Sequence, residues 1–273
     1  MTPVSDPADE DVVHIALRRH GPAGQVAELV LDRPEALNAL STAMAVSLSS
    51  VSSRLRAWGE AGAVRAVVLT SSAARAFCVG ADLKERNGFS DAELMDQRPL
   101  FRAAFGGVLS LPVPAIAAVH GFALGGGFEL ALSCDLIVAD STAVFGLPEV
   151  TIGLVPGGGG TQLLTRRLGS SRAADLVLSG RRVDVAEGQR LGFVDRRVAA
   201  GQARTAALEL ASQIAGNSPV AVRNAKRALR RGLDVDLAAG LDIEDSAWRA
   251  TAFAPDRREG IAAFNDRRPP RWP

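Results

Sequence analysis

AVHGFALGGGFELALSCD, residues 118–135, is the most informative segment of the chain. It begins as a buried strand, passes through the glycines 125–127 and continues as a helix with Glu129 in its first turn. Glycines at a helix start let a ligand approach the backbone closely, and the first N–H groups there have no intrahelical partner. Such a helix start favours an anion or a developing oxyanion. For the glycines alone, a tight turn that serves packing fits the sequence equally well.

Glu129 is the only charged residue between His120 and Asp135, and apolar residues flank it on both sides. A carboxyl group in that setting is expected to be partly buried, which raises its pKa towards values useful for proton transfer. The alternative is a first-turn carboxylate that complements the helix dipole. We interpret Glu129 as a candidate acid or base.

A second segment, FGLPEVTIGLVPGGGGT at residues 145–161, places Glu149 in a predicted loop without other charges. Its glycine run resembles a phosphate-binding loop, but Thr161 and Gln162 stand where that motif needs Lys followed by Ser or Thr. We therefore reject a phosphate loop. Taken alone, Glu149 fits an ordinary surface loop better than a catalytic role. Beside Glu129 it becomes a candidate partner in acid–base catalysis.

A third segment, FCVGADLKE at residues 77–85, runs from a strand end into a Gly-Ala-Asp turn that can present the N–H of Ala81 to a ligand. Asp82 is predicted to cap a helix or to accept in the turn rather than to act as a catalytic acid. Lys84 is one of two lysines in the chain. It suits either a phosphate contact or a solvated turn.

The composition excludes several classes of protein. In 273 residues, 31 basic side chains oppose 30 acidic ones, which argues against a dedicated nucleic-acid or membrane-surface binder. Cys78 and Cys134 lie in apolar runs without CxxC spacing or nearby histidines, so neither a disulfide framework nor a zinc site is expected. Met1–Val12 show no apolar stretch typical of a secretory signal, and no long apolar run marks a membrane span. We expect a cytoplasmic protein.

The order of predicted elements indicates an α/β core followed by a helical region. Strands and helices alternate up to about residue 170; Ser41 caps a helix that reaches Trp58, and 64–70 and 115–119 are buried strands. Six further helices are predicted from residue 171 onwards. This arrangement is typical of an α/β domain with helices appended to it.

Taken together, these segments resemble the crotonase superfamily, and within it the enoyl-CoA hydratases. The matching pieces, in chain order, are LDRPEALNAL (31–40), AFCVGADLKE (76–85), PVPAIAAVHGFALGGGFELALSCDLIVA (112–139), FGLPEVTIGLVPGGGGTQLLTRRLG (145–169) and DRREGIAAFNDRR (256–268).

The resemblance implies an α/β fold, the crotonase (ClpP/crotonase-like) spiral of ββα units with a C-terminal helical trimerisation region. We expect a flexible tail at 1–11, the spiral core at 12–200 and the helical region at 201–273. The implied partners are an acyl-CoA substrate and further copies of the chain, in a homotrimer or a hexamer made of two trimers. Nucleic acid, membrane, metal and cofactor are not expected.

The resemblance also assigns roles to residues. The oxyanion hole would be the backbone N–H groups of Ala81 and Gly126, which stabilise the enolate-like thioester oxygen. Glu129 and Glu149 match the two hydratase glutamates; Glu129 is assigned chiefly to holding and activating water, and Glu149 to delivering the proton. The implied contacts with coenzyme A are Arg33, Ala36, Leu37, Ala81, Asp82, Leu83, Lys84 and Gly121.

We therefore expect an enoyl-CoA hydratase that adds water across the 2,3 double bond of a 2-enoyl-CoA to give a 3-hydroxyacyl-CoA. One alternative is another crotonase reaction, such as double-bond isomerisation or hydration of the methylglutaconyl-CoA type, whose branch ADLKER at 81–86 resembles. A second alternative is a non-catalytic acyl-CoA-binding subunit. Two glutamates in apolar settings argue against it, because an unpaired buried carboxylate costs free energy. Phe128, directly before Glu129, is predicted to face the core rather than the acyl pocket.

Overall fold

The computed structural model describes residues 11–12, 14–21 and 25–272. Within those residues the chain forms two sheets and a series of helices that are most frequent in its C-terminal part. The strands are β1 Asp11–Val12, β2 Ile15–His20, β3 Val26–Leu31, β4 Ala66–Ser71, β5 Ala76–Cys78, β6 Ala115–Val119, β7 Phe122–Leu124, β8 Leu136–Asp140, β9 Val144–Gly146, β10 Arg182–Asp184 and β11 Arg196–Val198. The helices are α1 Thr42–Glu60, α2 Leu83–Arg86, α3 Asp91–Leu109, α4 Gly126–Ser133, α5 Gly160–Leu168, α6 Ser170–Ser179, α7 Val185–Leu191, α8 Ala203–Ala215, α9 Pro219–Gly232, α10 Leu237–Ala252 and α11 Pro255–Asn265.

In the described residues the larger sheet has the strand order β1-β2-β3-β4-β6-β8-β11. Strands β1 to β3 pair antiparallel, and from β3 onwards all neighbours pair parallel. Every residue of β6 is buried, and β4 is buried up to its last residue. These strands therefore read as continuous apolar runs because helices or other strands cover both of their faces.

The smaller sheet, in the order β10-β9-β7-β5, brings together the three segments that the sequence singles out. Its strands β5, β7 and β9 pair parallel, with Cys78 opposite Ala123 and Leu124 opposite Gly146. Parallel neighbours end at the same edge of a sheet, which is where ligands bind in α/β folds. The turn with Ala81, the start of α4 and the turn with Glu149 consequently meet at one edge.

An aromatic cluster beneath this edge holds α4 in place. The rings of Phe128, Phe145 and Phe193 are fully buried, with centroids 5.0–5.1 Å apart in tilted and edge-on arrangements. Aromatic pairs of this geometry contribute about 0.5–1.5 kcal/mol each beyond the area they bury. The prediction that Phe128 faces the core is confirmed.

Several predicted elements appear where expected. The hydroxyl of Ser41 accepts from the N–H of Met44 and caps α1, and Asp82 caps α2 by accepting from the N–H groups of Lys84 and Glu85. Strand β7 lies in a segment predicted as a turn, and β10 and β11 lie between predicted helices, where the sequence predicts no strand. A run of three residues shows too little alternation of apolar and polar side chains to be recognised as a strand in a sequence, and its pairing partners are distant in the chain.

The predicted division into tail, core and helical region stays a prediction. Residues 1–10 lie outside the described residues. Asp11, in strand β1, pairs with Ala16 of strand β2. Helix α8, the first of the predicted C-terminal region, packs on the larger sheet; its Ala207 and Leu210 share a buried cluster with Val68 and Ile116. Among the described residues, no helix is both long and apolar enough to cross a membrane.

Candidate active site

Glu129 is held by the loop that follows β9, far from it in the chain. It lies in the first turn of α4, is 3% exposed, and its Oε1 accepts from the N–H groups of Gly158 at 2.7 Å and Gly160 at 2.8 Å. Burial raises the pKa of Glu129, while these backbone donors and the charge of Arg98 act in the opposite direction. The result is a fixed, desolvated carboxyl group whose ionised form is stabilised by backbone donors.

The glycine run at 157–160 lets the loop approach that carboxyl group. A Cβ placed on Gly158 would lie 2.9 Å from Oε2 of Glu129 and 2.8 Å from the ring of Phe105. A Cβ on Gly160 would lie 3.0 Å from Oε1 of Glu129. The glycines therefore pack around a carboxyl group of the chain itself. This contact gives the glycine run a role other than phosphate binding.

Glu149 has a different setting. It lies in a 3₁₀ turn, Pro148–Ile152, directly after β9, and among the described residues its buried Oε2 has no hydrogen-bond partner. Burial, and after it the charge of Glu129, raises the pKa of Glu149 to about 7, while a backbone hydrogen bond opposes this change. A Cβ on Gly125 would lie 2.9 Å from Oε1 of Glu149, so this carboxyl group rests against the start of α4. The structure therefore brings both predicted glutamates together.

Two residues with free backbone N–H groups, Ala81 and Gly126, line the same cavity. Neither the N–H of Ala81 nor that of Gly126 donates to an acceptor in the described part of the chain. The turn before Ala81 presses on α4: a Cβ on Gly80, where φ is +92°, would lie 3.1 Å from the nitrogen of Gly126. Two free donors on adjoining segments form the arrangement that stabilises a developing negative charge on an oxygen.

The glutamates and the two backbone donors line one cavity of about 520 Å³. That volume lies within the range of small-molecule sites, which are mostly apolar with a few convergent polar groups. Helix α3 and the chain from 148 to 158 supply the apolar wall, formed by Leu94, Met95, Phe101, Phe105, Pro148, Ile152, Leu154, Val155 and Pro156. A further cavity of about 600 Å³ between α9 and α10 is lined mainly by apolar residues.

The residues predicted to bind coenzyme A fall into three groups, of which the first two lie at the cavity and in the turn after β3. Ala81 and Leu83 line the cavity, and the side chain of Lys84 is exposed beside them. Ala36 and Leu37 lie partly exposed in the turn after β3, outside the cavity wall.

Arg33, Asp82 and Gly121 already have structural contacts. Nη1 of Arg33 donates to Oδ2 of Asp82 at 2.6 Å and to the carbonyl of Ala39 at 2.9 Å. Gly121 has a φ of +56°, and a Cβ there would lie 2.1 Å from the carbonyl oxygen of Arg75. These contacts stabilise turns at the edge of the site, and the predicted contacts of the three residues with coenzyme A stay predictions.

Two cationic residues on the cavity wall, Arg86 and Arg98, were not predicted from the sequence. Nη1 of Arg98, in α3, donates to the carbonyl of Gly157 at 2.7 Å, and Nε of Arg86, at the end of α2, donates to Oε1 of Gln97 at 2.8 Å. Nothing in the sequence distinguishes them from the other arginines of the chain. Their proximity to the glutamates follows from the packing of α3 against α4.

Metal ligation finds no support in the described residues, where no three His, Cys, Asp or Glu side chains are grouped to hold an ion. Cys78 and Cys134 are both free and buried, and burial raises the pKa of each thiol to about 12. Neither thiol is therefore a nucleophile at neutral pH.

Comparison with known proteins gives concordant results. The family model described as enoyl-CoA hydratase/isomerase matches residues 22–273. The chain is 43% identical over 256 residues to the enoyl-CoA hydratase domain-containing protein 2, mitochondrial, of Mus musculus, covering 92% of this chain and 86% of that one. It is 40% identical over 248 residues to the methylglutaconyl-CoA hydratase, mitochondrial, of Mus musculus, covering 89% and 78%. The crystal structure of an enoyl-CoA hydratase from Bacillus anthracis superimposes with a TM-score of 0.91 at 38% identity, covering 95% of this chain and 98% of that one.

Proposed function

The chain belongs to the enoyl-CoA hydratase/isomerase family, and from that premise we propose that it adds water across the 2,3 double bond of a 2-enoyl-CoA. The product is a 3-hydroxyacyl-CoA. The fold is the crotonase fold of the solved hydratases, and the relatives are named as hydratases, so the chain is an enzyme of the hydro-lyase class. The observation that carries the proposal is the presence of two glutamates and two free backbone donors in one cavity.

The thioester carbonyl accepts from the N–H groups of Ala81 and Gly126, which have no acceptor in the described residues. These donors stabilise the negative charge that develops on the oxygen as water attacks C3. Loss of one such donor costs about 2.7–4 kcal/mol of transition-state stabilisation. The positive end of α4 acts in the same direction.

Glu129 holds the water and removes its proton, because the N–H groups of Gly158 and Gly160 favour its ionised form. Glu149 supplies the proton to C2, because its raised pKa of about 7 keeps a large fraction protonated and its Oε2 has no partner in the described residues. The hydroxyl group joins C3, and the pair of electrons of the double bond forms the new C2–H bond. The two carboxyl groups titrate as a coupled pair, so the proton left on Glu129 can return to Glu149.

Isomerisation and a non-catalytic role each leave some of the polar groups in this cavity without a function. Isomerisation moves one proton between two carbons and needs no residue to hold water, whereas Glu129 is fixed by two donors in a position to do so. A non-catalytic subunit would gain nothing from the buried, unpartnered Oε2 of Glu149, which costs free energy in the folded state.

The C-terminal helices support the proposal of a homotrimer or of a hexamer made of two trimers. They expose large apolar side chains that a chain remaining monomeric rarely displays together, and such surfaces are typical of interfaces. The exposed residues are Leu229, Leu233, Leu237, Leu241, Trp248, Phe253 and Phe264. The cytoplasmic location stays a prediction, while the two mouse relatives carry the word mitochondrial in their names.

The test is turnover of crotonyl-CoA by the purified chain in D₂O, followed by the loss of enoyl-thioester absorbance. We expect a product with one deuterium at C2 and a hydroxyl group at C3, and a collapse of the rate in Glu129→Gln and Glu149→Gln. An isomerase would give a product without added water on substrates of four or more carbons. Failure to hydrate short, long and branched 2-enoyl-CoAs would overturn the proposal.

A further inference from the structure

The peptide group between Gly157 and Gly158 carries a hydrogen bond at each end. Its N–H donates to Oε1 of Glu129 at 2.7 Å, and its carbonyl oxygen accepts from Nη1 of Arg98 at 2.7 Å. Arg98 belongs to α3 and Glu129 to α4. One peptide group therefore joins a guanidinium group to the proposed base of the reaction.

A cation at the carbonyl end of a peptide group strengthens donation at its N–H end. Hydrogen bonds in a chain polarise one another, and those that involve an ionised group are the strongest. Burial raises the pKa of Glu129; the N–H groups of Gly160 and Gly158, and after them the charge of Arg98, oppose that increase. The polarised peptide group and the charge of Arg98 thus act in the same direction, towards an ionised carboxyl group.

The two backbone donors to Glu129 are held in different ways. Gly160 lies in the first turn of α5, so the helix fixes its N–H. Gly158 lies in the segment 154–159, which forms neither helix nor strand. A Cβ on Gly157 would lie 2.8 Å from Nη1 of Arg98, so the guanidinium group packs directly against this segment. Of the two donors, the N–H of Gly158 is therefore the one that depends on Arg98.

Other titratable groups lie around α4. Glu149 rests against the start of the helix, and the charge of Glu129 contributes to its raised pKa. Cys78 lies beneath the helix, where burial raises the pKa of its thiol to about 12, so it is neutral. Arg86 lines the cavity and donates to Gln97. The opposite end of the helix carries a separate cluster of charges, made of Asp135, Arg167, Lys226 and Arg230.

We propose that Arg98 is a positioning residue, which acts through the peptide group 157–158 to hold Glu129 in place and to keep it in the ionised form that accepts a proton from water. This inference rests on the proposed function of Glu129. When Arg98 is lost, the N–H of Gly158 loses its anchor and that of Gly160 remains. Loss of Arg98 therefore reduces activity less than loss of Glu129 itself.

The test is the pH dependence of kcat/KM for crotonyl-CoA in the wild type, Arg98→Met and Arg98→Lys. A base must be ionised to act, so kcat/KM falls on the acid side as Glu129 becomes protonated. Removal of the cation raises the pKa of Glu129, and in Arg98→Met this acid limb moves to higher pH. We expect a loss of about tenfold at pH 5.5, below the roughly 10²–10⁴-fold contribution of an acid–base group, and a smaller loss at pH 7.

Two further variants separate charge from other effects. Arg98→Lys keeps the positive charge and should recover part of the acid-side activity. Arg102→Met removes the same charge one turn further along α3, at an exposed residue outside the cavity wall, and should leave the profile unchanged.

Three results would overturn the inference. One is a profile of Arg98→Met identical to that of the wild type. Another is an equal loss at every pH, as expected if Arg98 only supports the folding of the loop. The third is a profile of Arg98→Lys identical to that of Arg98→Met, because charge would then have no part in the effect.

An experiment without turnover separates this inference from the proposed function. The carboxyl carbon of Glu129 is titrated by NMR in protein labelled with ¹³C at the glutamate carboxyl groups, and its signal is identified by its absence in Glu129→Gln. A higher pKa in Arg98→Met than in the wild type supports the link between Arg98 and Glu129 even if no enoyl-CoA is hydrated. Identical titration in both proteins overturns it.

Discussion

Glu129 and Glu149 face one cavity from regions that are built differently. Glu129 stands on a helix whose far side is fixed by an aromatic cluster, and a glycine-rich loop wraps its carboxyl group with two N–H donors. Glu149 stands on a short 3₁₀ turn, and one of its oxygens is buried without a partner among the described residues. The same type of side chain is therefore fixed by backbone hydrogen bonds at one position and left with a free oxygen at the other.

This difference supports the proposed roles of Glu149 as the acid and Glu129 as the base. Burial raises the pKa of both carboxyl groups, and at Glu129 the backbone donors offset part of that increase. At Glu149 burial is again the largest cause, a single backbone hydrogen bond opposes it, and the charge of Glu129 adds to the increase. Environments that separate the proton affinities of two carboxyl groups are the general way in which one becomes the acid and the other the base.

The largest expected effect is that of Glu129→Gln. The amide oxygen can still accept from Gly158 and Gly160, but the side chain can no longer take a proton from water. We expect kcat/KM for crotonyl-CoA to fall about 10⁴-fold, at the upper end of what one acid–base group contributes. The measurement is the steady-state rate beside the affinity for butyryl-CoA, which changes little. A loss of less than tenfold would refute the role of Glu129 as the residue that activates water.

Gly158→Ala disturbs the Glu129 region without changing a titratable group. The new Cβ would meet the ring of Phe105 at 2.8 Å and Oε2 of Glu129 at 2.9 Å, so the carboxyl group must move. Displacement of a catalytic group by about 1 Å costs about 10²-fold in rate, and we expect kcat/KM to fall by that order.

Gly106→Ala is the matched control for this variant. Gly106 lies in α3, with nothing within 4 Å of the position its Cβ would take. The Gly106→Ala variant should keep its activity and gain about 0.5–1 kcal/mol of stability, because alanine is more stable than glycine in a helix interior. Equal activity in both variants would mean that the glycine loop does not position Glu129.

The smallest expected effect is a dependence on pH that originates in the Glu149 region. Because the acid must be protonated and its pKa is about 7, kcat/KM should fall above pH 7, by about tenfold per unit. Glu149→Gln should lose this alkaline limb along with most of its activity.

The same group also affects folding stability. Its pKa is higher in the folded state than the ordinary 4.5, so it destabilises the folded chain as pH rises from about 4.5 through 7. Thermal unfolding measured at pH 5 and pH 8 should therefore show that Glu149→Gln gains stability relative to the wild type at the higher pH. A fall of kcat/KM above pH 7 that persists in Glu149→Gln would assign the titration seen in activity to another group.

The sequence predicts the parts of this site that depend on neighbours along the chain. Glu129 and Glu149 stand out because they are isolated charges in apolar segments, and Asp82 because it precedes a helix. The cap by Asp82 and the buried position of Phe128 follow from local rules of helix starts and apolar patterning, and the structure confirms both.

The missed features depend on contacts between distant segments. The N–H groups that hold Glu129 come from a loop 29 and 31 residues away, and a glycine run alone does not reveal what approaches it. Arg98 is one of many cationic residues, and only the packing of α3 directs it to Gly157. The short strand β7, which joins β5 and β9 in the smaller sheet, is stabilised by these partners rather than by its own sequence.

The free donors of Ala81 and Gly126 belong to the main chain, and this has a consequence for descent. Point mutations change side chains, so every descendant that keeps the turn and the helix start also keeps both N–H groups, unless proline is introduced. If they serve the thioester as proposed, the capacity to stabilise an enolate is inherited with the fold. The proton chemistry, in contrast, depends on two replaceable side chains, so new reactions on acyl thioesters can arise here while the backbone donors stay in place.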